Sequence, residues 1–511
     1  MRQHEDYLRA AAAGATAAVV GCGAMGRGIA QLLAQAGLTV LLHDAQPHAA
    51  ALARSAIEAD LQKWVARGKL APQDATAIVA RLVPVAALTE LAPATLVVEA
   101  VIEDLEVKRK LFAQLERIVP EHAILATNTS SLSVAAIAAA CVRPQRVAGF
   151  HFFNPAPLMK LVEIVAAVQT DAAVCEALVE LARRFGHTPV RAADTPGFLV
   201  NHAGRGYVTE GLKILAEGVC APHELDAVLT DACGFRLGPC ELLDLTGLDV
   251  SQPVMESIYH QYYEEPRYRP QVLTRRRMEA GLLGRKRGVG FYRYEDGVAQ
   301  RPALPPAPVV PPPRVWIDPA EPALAARVRE ALAPGVALDT GARPAADSLI
   351  VVTPVGGDAT QAAVADQLDA RRTVAFDALF PGRRVRCLFA TPAFDPQWRE
   401  PARAAFASEG TSVLLVRDSA GLVAQRVLAM IVNIACAIAE QRIAQPDDID
   451  RAVTLGLGYP QGPLAWGDAI GAGTVLRILR ALQAATGDPR YRPAAWLARR
   501  VALALPLAHA D

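Results

Sequence analysis

Along the N-terminal part of the chain, hydrophobic residues come in short continuous runs separated by stretches with a helical repeat. TAAVV at 16–20 is too short for a helix and reads as a buried strand. Residues 27–36 then show helical spacing up to Gly37, and LTVLL at 38–42 is a second buried run that ends at Asp44. TLVVEAV at 95–101 predicts a strand, 105–118 a helix and 123–127 another strand. This alternation continues to about residue 190 and predicts an α/β, Rossmann-like domain over 15–193, built on a doubly wound, mostly parallel sheet.

From residue 194 onward the pattern becomes helical, and it recurs. Pro222, Asp226, Gly234, Gly238, Pro239, Asp244 and Gly247 reappear 224 residues later as Pro446, Asp450, Gly458, Gly462, Pro463, Asp468 and Gly471. PRYRP at 266–270 reappears at 489–493. A repeat on this scale predicts a duplicated all-α domain, with one copy over 194–300 and a degenerate one over 413–511. Between them, 301–314 is Pro-rich and reads as a semi-rigid linker. Residues 315–412 alternate strand-like (347–352, 372–376, 385–389) and helix-like (360–369) stretches, which predicts a small α/β module. Its loop PVGGD at 354–358 lacks the GxGxxG spacing, so the module is expected to be a degenerate nucleotide fold with a scaffolding role.

Composition narrows the function. With 52 basic and 52 acidic residues in 511, the chain has no excess of cations with which to bind nucleic acid. The apolar run at 427–439 is interrupted by Asn433 and falls short of the roughly 20 residues of a bilayer span, so no membrane segment is expected. Eight cysteines scattered without a CxxC pair fit a reducing cytoplasm and argue against a disulfide scaffold or a structural metal site.

Candidate chemistry begins at the first turn. GCGAMG at 21–26 follows a strand and opens a helix, with Asp44 about 20 residues on. Gly21 permits the tight turn, Gly23 lets a pyrophosphate approach the backbone, and Gly26 lets helix and strand pack closely. The helix N-terminus offers amide donors to phosphate. Asp44 accepts hydrogen bonds from a ribose 2′-hydroxyl and repels a 2′-phosphate, which selects NAD over NADP. Farther on, His151 lies in an apolar strand that breaks at Asn154-Pro155, and Glu163 lies in the next strand. A buried carboxylate wants a partner, and a His held by a Glu makes a general base. Taken alone, the pair also fits a satisfied core histidine beside a strand-edge charge. NTSS at 128–131 follows a strand on the side of the sheet where ligands bind, and DTPGFLVN at 194–201 is expected to start a helix capped by Asp194 or Thr195, so Ser130 and Asn201 can offer polar groups to one crevice.

These stretches, together with VVEAVIEDLEVK at 97–108, GFHFFNPAPLMKLVEIV at 149–165, GFRLGPCELLDLTGLD at 234–249 and LGRKRGVGFYRY at 283–294, resemble the 3-hydroxyacyl-CoA dehydrogenase family. The resemblance implies oxidation of an (S)-3-hydroxyacyl-CoA, with NAD as cofactor. His151 would be the base, Glu163 its orienting partner, and Ser130 and Asn201 the groups that bind substrate near the reacting carbon. It places Glu103, Lys108, Asn128, Ser130, Asn154 and Lys286 among the NAD contacts. On the helix over 50–69, otherwise a solvated charged face, the family's CoA-contacting Ser and Lys stand here as Asp60 and Arg67, and Arg67 is the candidate CoA contact. His202 replaces the Arg that usually follows the Asn of DTPGFLVN.

In the second copy Asn201 is matched by Gln425, the LGRKRGVGFY tail is absent, and no histidine occurs between His260 and His509, so one active site per chain is expected. The duplicated organisation resembles a long branch of the family associated with phenylacetate catabolism, whose substrate is 3-hydroxyadipyl-CoA. A short-chain 3-hydroxybutyryl-CoA dehydrogenase is the alternative. A non-catalytic NAD-binding sensor is the alternative of another class, disfavoured by the joint presence of Ser130, His151, Glu163 and Asn201. Short members of the family pair through the helical domain; here the second copy either takes its twin's place within one chain or extends an interface between chains, and a homodimer is the expectation.

Overall fold

The computed structural model describes Glu5, residues 7–9 and residues 12–510. The chain divides into two compact units: the first holds the residues up to His202 together with Gln441–Leu457, and the second holds Ala203–Glu440 and the residues from Gly458 onward.

The first unit is built on an eight-stranded sheet of β1 (Thr16–Val20), β2 (Thr39–His43), β3 (Leu82–Pro84), β4 (Leu96–Glu99), β5 (Ile124–Thr127), β6 (Val147–Phe152), β7 (Leu161–Ala166) and β8 (Thr188–Ala193), in the order β3-β2-β1-β4-β5-β6-β7-β8. All neighbours are parallel except β6 and β7. β1 has β2 on one side and β4 on the other, so the strand order reverses there and opens a crevice at the carboxyl ends of the strands. The central strands are buried on both faces, which explains why they read as unbroken apolar runs. The helix Ala24–Gln35 lays Ile29, Leu32 and Leu33 onto the sheet.

The second unit contains a hairpin of β9 (Arg293–Glu295) and β10 (Val298–Gln300), and a sheet of β11 (Arg314–Ile317), β12 (Leu338–Asp339), β13 (Ser348–Val352), β14 (Thr373–Phe376), β15 (Val385–Ala390) and β16 (Ser412–Arg417) in the order β12-β11-β13-β14-β15-β16. Here too only one pair, β14 with β15, is antiparallel. At the unit's centre the helix Ala424–Glu440, buried on all sides up to Ala439, packs on Arg205–Ala216, and Gly206 lets the two backbones approach: a Cβ there would lie 2.8 Å from Ile431 Cα. The apolar run at 427–439 is thus the middle of a helical core. Among the described residues, no helix is long and apolar enough to cross a membrane.

The expected boundaries shift, and residues 194–202 stay with the first unit. Arg314 and β16 belong to the second sheet by backbone pairing, so the α/β module extends past both of its expected limits, 315 and 412. Residues 441–457 do not stay with the second helical copy. Their helix, Pro446–Gly456, packs on β7 and β8, and Ala193 N–H donates to Ile443 O (2.8 Å). The same bond recurs 224 residues along the chain within the second unit, where Arg417 N–H donates to Val219 O (3.1 Å) and the helix Pro222–Cys233 packs on β15. Each sheet thus takes a helix that the sequence repeat assigns to the other copy.

Candidate active site

The crevice floor is the turn after β1. Gly21 has φ +97°, and a Cβ on it would lie 2.5 Å from Ala100 O; a Cβ on Gly26 would run into Gly21 O. Nothing lies within 4 Å of a Cβ built on Gly23, so the space above that residue is open. Asp44 at the end of β2 accepts Cys22 N–H (2.6 Å) and Gln46 N–H (2.8 Å), tying the turn to the neighbouring strand. Gly21, Gly23 and Asp44 line one end of a cavity of about 660 Å³, whose apolar wall includes Ile102, Val107 and Leu111. A tight glycine turn, open space above it, an acid beside it and an apolar slot next to the acid fit an adenine dinucleotide.

A second cavity, about 390 Å³, is lined by Lys108, Asn128, Ser130, His151, Asn154 and Asn201, with Glu103 in the same wall. His151 and Glu163 face each other across the antiparallel pair β6–β7. His151 Nδ1 lies 2.5 Å from Glu163 Oε2, and both side chains are buried. The carboxylate accepts from Nδ1–H, which leaves Nε2 as the proton-accepting atom. Glu163 Oε1 accepts Leu199 N–H (3.0 Å) and Val200 N–H (2.8 Å), so the carboxylate that holds the imidazole also fixes the segment leading into Asn201. Phe153 and Phe198 flank the ring, with centroids at 4.6 and 5.8 Å. Asn128 Oδ1 accepts Phe152 N–H (2.9 Å), which fastens the loop after β5 to the strand that carries His151.

Asp194 and Thr195 do not cap the helix that follows them. Residues 196–199 form turns, with Gly197 and Phe198 at positive φ, and helix begins only at Val200–Ala203. Asp194 accepts Ser133 Oγ–H (2.9 Å), Val134 N–H (2.9 Å) and Ala135 N–H (2.7 Å), so it caps the short helix Val134–Ala138 behind Ser130. Glu103 is engaged by the same loop: its Oε1 accepts from Thr129 Oγ1 (2.7 Å), Ser130 N (3.0 Å), Ser131 N (3.1 Å) and Ser131 Oγ (2.9 Å). Burial disfavours its charge. The hydrogen bonds of Thr129, Ser130 and Ser131 and the Lys108 ammonium outweigh that and hold its carboxyl below the ordinary range.

Arg67 lies just past the helix Ala49–Ala66 and lines a third cavity of about 320 Å³ with Arg27, Lys63, Trp64 and Asn154, where Asp60 pairs with Lys63 (2.8 Å). That helix therefore contributes a cavity wall as well as a solvated face. Lys286 belongs to the other unit, where its ammonium pairs with Asp249 (2.6 Å). The sequence reading missed Glu99, a fully buried carboxylate at the end of β4. Its only sequence signal is an acid inside the apolar run VVEAV.

The family model "3-hydroxyacyl-CoA dehydrogenase, NAD binding domain" matches residues 16–195, and that of the C-terminal domain matches 197–294 and again 421–505. The 3-hydroxyadipyl-CoA dehydrogenase of Escherichia coli is 40% identical over 96% of this chain and 98% of its own length. A probable 3-hydroxybutyryl-CoA dehydrogenase of Deinococcus radiodurans is 39% identical over 54% of this chain and 99% of its own. Among solved structures, the 3-hydroxybutyryl-CoA dehydrogenase of E. coli K12 superposes with a TM-score of 0.84 at 37% identity, covering 96% of this chain and 98% of that one.

Proposed function

The chain belongs to the 3-hydroxyacyl-CoA dehydrogenase family and is an NAD-dependent oxidoreductase acting on 3-hydroxyacyl-CoA, and from that premise we propose how its own residues do the work. His151 takes the proton of the substrate's 3-hydroxyl at Nε2. The observation that carries this reading is the 2.5 Å contact between Nδ1 and the buried Glu163. That contact fixes the tautomer and lets the carboxylate stabilise the imidazolium as it forms. NAD, when bound, supplies the acceptor for the hydride that leaves C3 of an (S)-3-hydroxyacyl thioester. Ser130 and Asn201 hydrogen-bond the substrate oxygens beside His151, and Phe153 and Phe198 keep water from the ring. Gly21, Gly23, Gly26 and Asp44 hold the adenosine end of the cofactor, and Lys108, Asn128 and Asn154 line the cavity for its other end. Glu103 serves that end by fastening the Ser130 loop. Lys286 stands as a further cofactor contact on the strength of its motif. Arg67, with Arg27 and Lys63, supplies cations for the phosphates of CoA.

The proposed substrate is 3-hydroxyadipyl-CoA. What supports it is likeness over nearly the whole length, duplication included, to a relative named for that activity. The structure that matches over the same length is named for 3-hydroxybutyryl-CoA, which is the second reading. NADH formation measured with both thioesters decides between them: kcat/KM at least tenfold higher for the dicarboxylic substrate is expected, and a preference for 3-hydroxybutyryl-CoA overturns the assignment. Failure to oxidise any 3-hydroxyacyl-CoA while NAD still binds would point to the sensor alternative. A cytoplasmic site of action is proposed on the eight free cysteines, to be checked by cell fractionation. The homodimer implied by the family resemblance also stands as a proposal. In light scattering, twice the 54.2 kDa of one chain supports it, and the single-chain mass rejects it.

A further inference from the structure

We propose that Glu99 is a positioning residue of this active site, acting through Lys108 and Thr127 to hold the loop at 127–131 and to keep an ammonium in the cavity wall; the inference rests on the dehydrogenase reading above. A fully buried carboxylate at the end of a central strand is costly unless it is paired, and this one is paired on both oxygens. Oε1 accepts from Lys108 Nζ (2.6 Å) and Val101 N (2.7 Å), and Oε2 accepts from Thr127 Oγ1 (2.7 Å). Thr127 Oγ1 in turn accepts Thr129 N–H (3.2 Å).

The Lys108 side chain is 1% exposed and also meets Glu103 Oε2 at 3.3 Å. Glu103 grips Thr129, Ser130 and Ser131 with its other oxygen. The loop that presents Asn128 and Ser130 is therefore held from two sides by carboxylates, and the single ammonium joins them. The titratable groups around Lys108 are Glu99 and Glu103, with His151 lining the same cavity. Glu99 is not part of the lining of the cavity that holds His151. Its charge matters because it is the ammonium's nearest partner.

Replacing that charge leaves the buried ammonium with Glu103 at 3.3 Å and loosens the loop's hold on one side. Glu99→Gln in the full-length protein is therefore expected to lower kcat/KM about tenfold at neutral pH. The loss should fall mainly on KM for NAD and the thioester, with kcat nearly unchanged, the split expected when the loop at 127–131 is displaced rather than the base. Lys108→Met should lower kcat/KM in the same way, and the double variant should be no worse than Lys108→Met, because both changes act on one interaction. An unchanged KM in Glu99→Gln, or additive losses in the double variant, would reduce Glu99 to a packing role and overturn the proposal. Should Glu99→Gln fail to fold, Thr127→Val breaks the other arm: a raised KM with nearly unchanged kcat is expected, and wild-type kinetics overturn the idea. An inert wild type would instead sink the dehydrogenase reading.

Discussion

At the scale of single residues, the proposed chemistry depends on a division of labour between the two oxygens of Glu163. One orients His151 and the other fixes the backbone that leads into Asn201, so changes at the two residues are expected to differ in kind. His151→Ala should keep NAD affinity, measured by fluorescence titration, and lose about 10²–10⁴-fold in kcat, the usual contribution of a general base. Glu163→Gln leaves an acceptor for the ring but removes the charge opposite the imidazolium and disturbs the 199–200 amides. It should therefore lower kcat by a comparable factor and also raise KM for the thioester. An unchanged KM would mean that Asn201 does not depend on Glu163. The site was readable in the chain where residue types and strand periodicity sufficed: His151 and Glu163 lie in neighbouring strands, and the glycine turn comes with its acid. Glu99 was not readable, because an acid at the end of an apolar run looks the same whether its partner is water or a lysine nine positions on.

At the scale of elements, Asp194 illustrates how a local pattern misleads. A DTPG sequence before an apolar stretch has the composition of a helix cap, yet its carboxylate reaches back to the amides of Val134 and Ala135. Periodicity reports what an element is and stays silent about which distant helix end a side chain will find. The second sheet makes the same contact: Asp418 accepts Ala359 N–H (2.9 Å), Thr360 N–H (2.8 Å) and Thr360 Oγ1–H (2.5 Å). The two caps therefore allow a controlled comparison. Asp194→Ala and Asp418→Ala should each cost about 0.5–2 kcal/mol in thermal unfolding, the usual penalty for a lost cap. Only Asp194→Ala should lower kcat/KM, because only its helix stands behind Ser130; equal kinetic losses would contradict this.

At the scale of the whole molecule, the duplication runs deeper than the helical repeat showed. β7 and β15 each pair with a strand 27 residues later, and each lies antiparallel to the strand before it. Continuing the β14–β15 register by one step sets Asp377 opposite Cys387, the positions held by His151 and Glu163 in the first sheet. Gln425, at the position of Asn201, fills the corresponding space: it accepts Gly356 N–H (2.9 Å) and donates to Asp377 Oδ1 (3.0 Å) and Pro354 O (3.2 Å). The helical repeat was legible because prolines, glycines and aspartates at caps and turns are kept, whereas the sheet's kinship, expected only from its alternating pattern, shows in strand register and in the paired contacts of Asp194 and Asp418. The relic has a measurable consequence. Burial pushes the Asp377 carboxyl up to about 6, against the hydrogen bond from Gln425. An acid whose pKa is raised by folding binds its proton more tightly in the folded state, so its contribution to stability is greatest below about pH 4 and is lost as pH rises through about 6. Asp377→Asn removes the titration and keeps an acceptor for Gln425. In thermal melts the variant should therefore gain about 2–3 kcal/mol over the wild type at pH 7.5 relative to pH 4. Because other buried carboxyls titrate equally in both proteins, the difference between the two curves isolates this residue, and a difference independent of pH would show that Asp377 is not the group responsible.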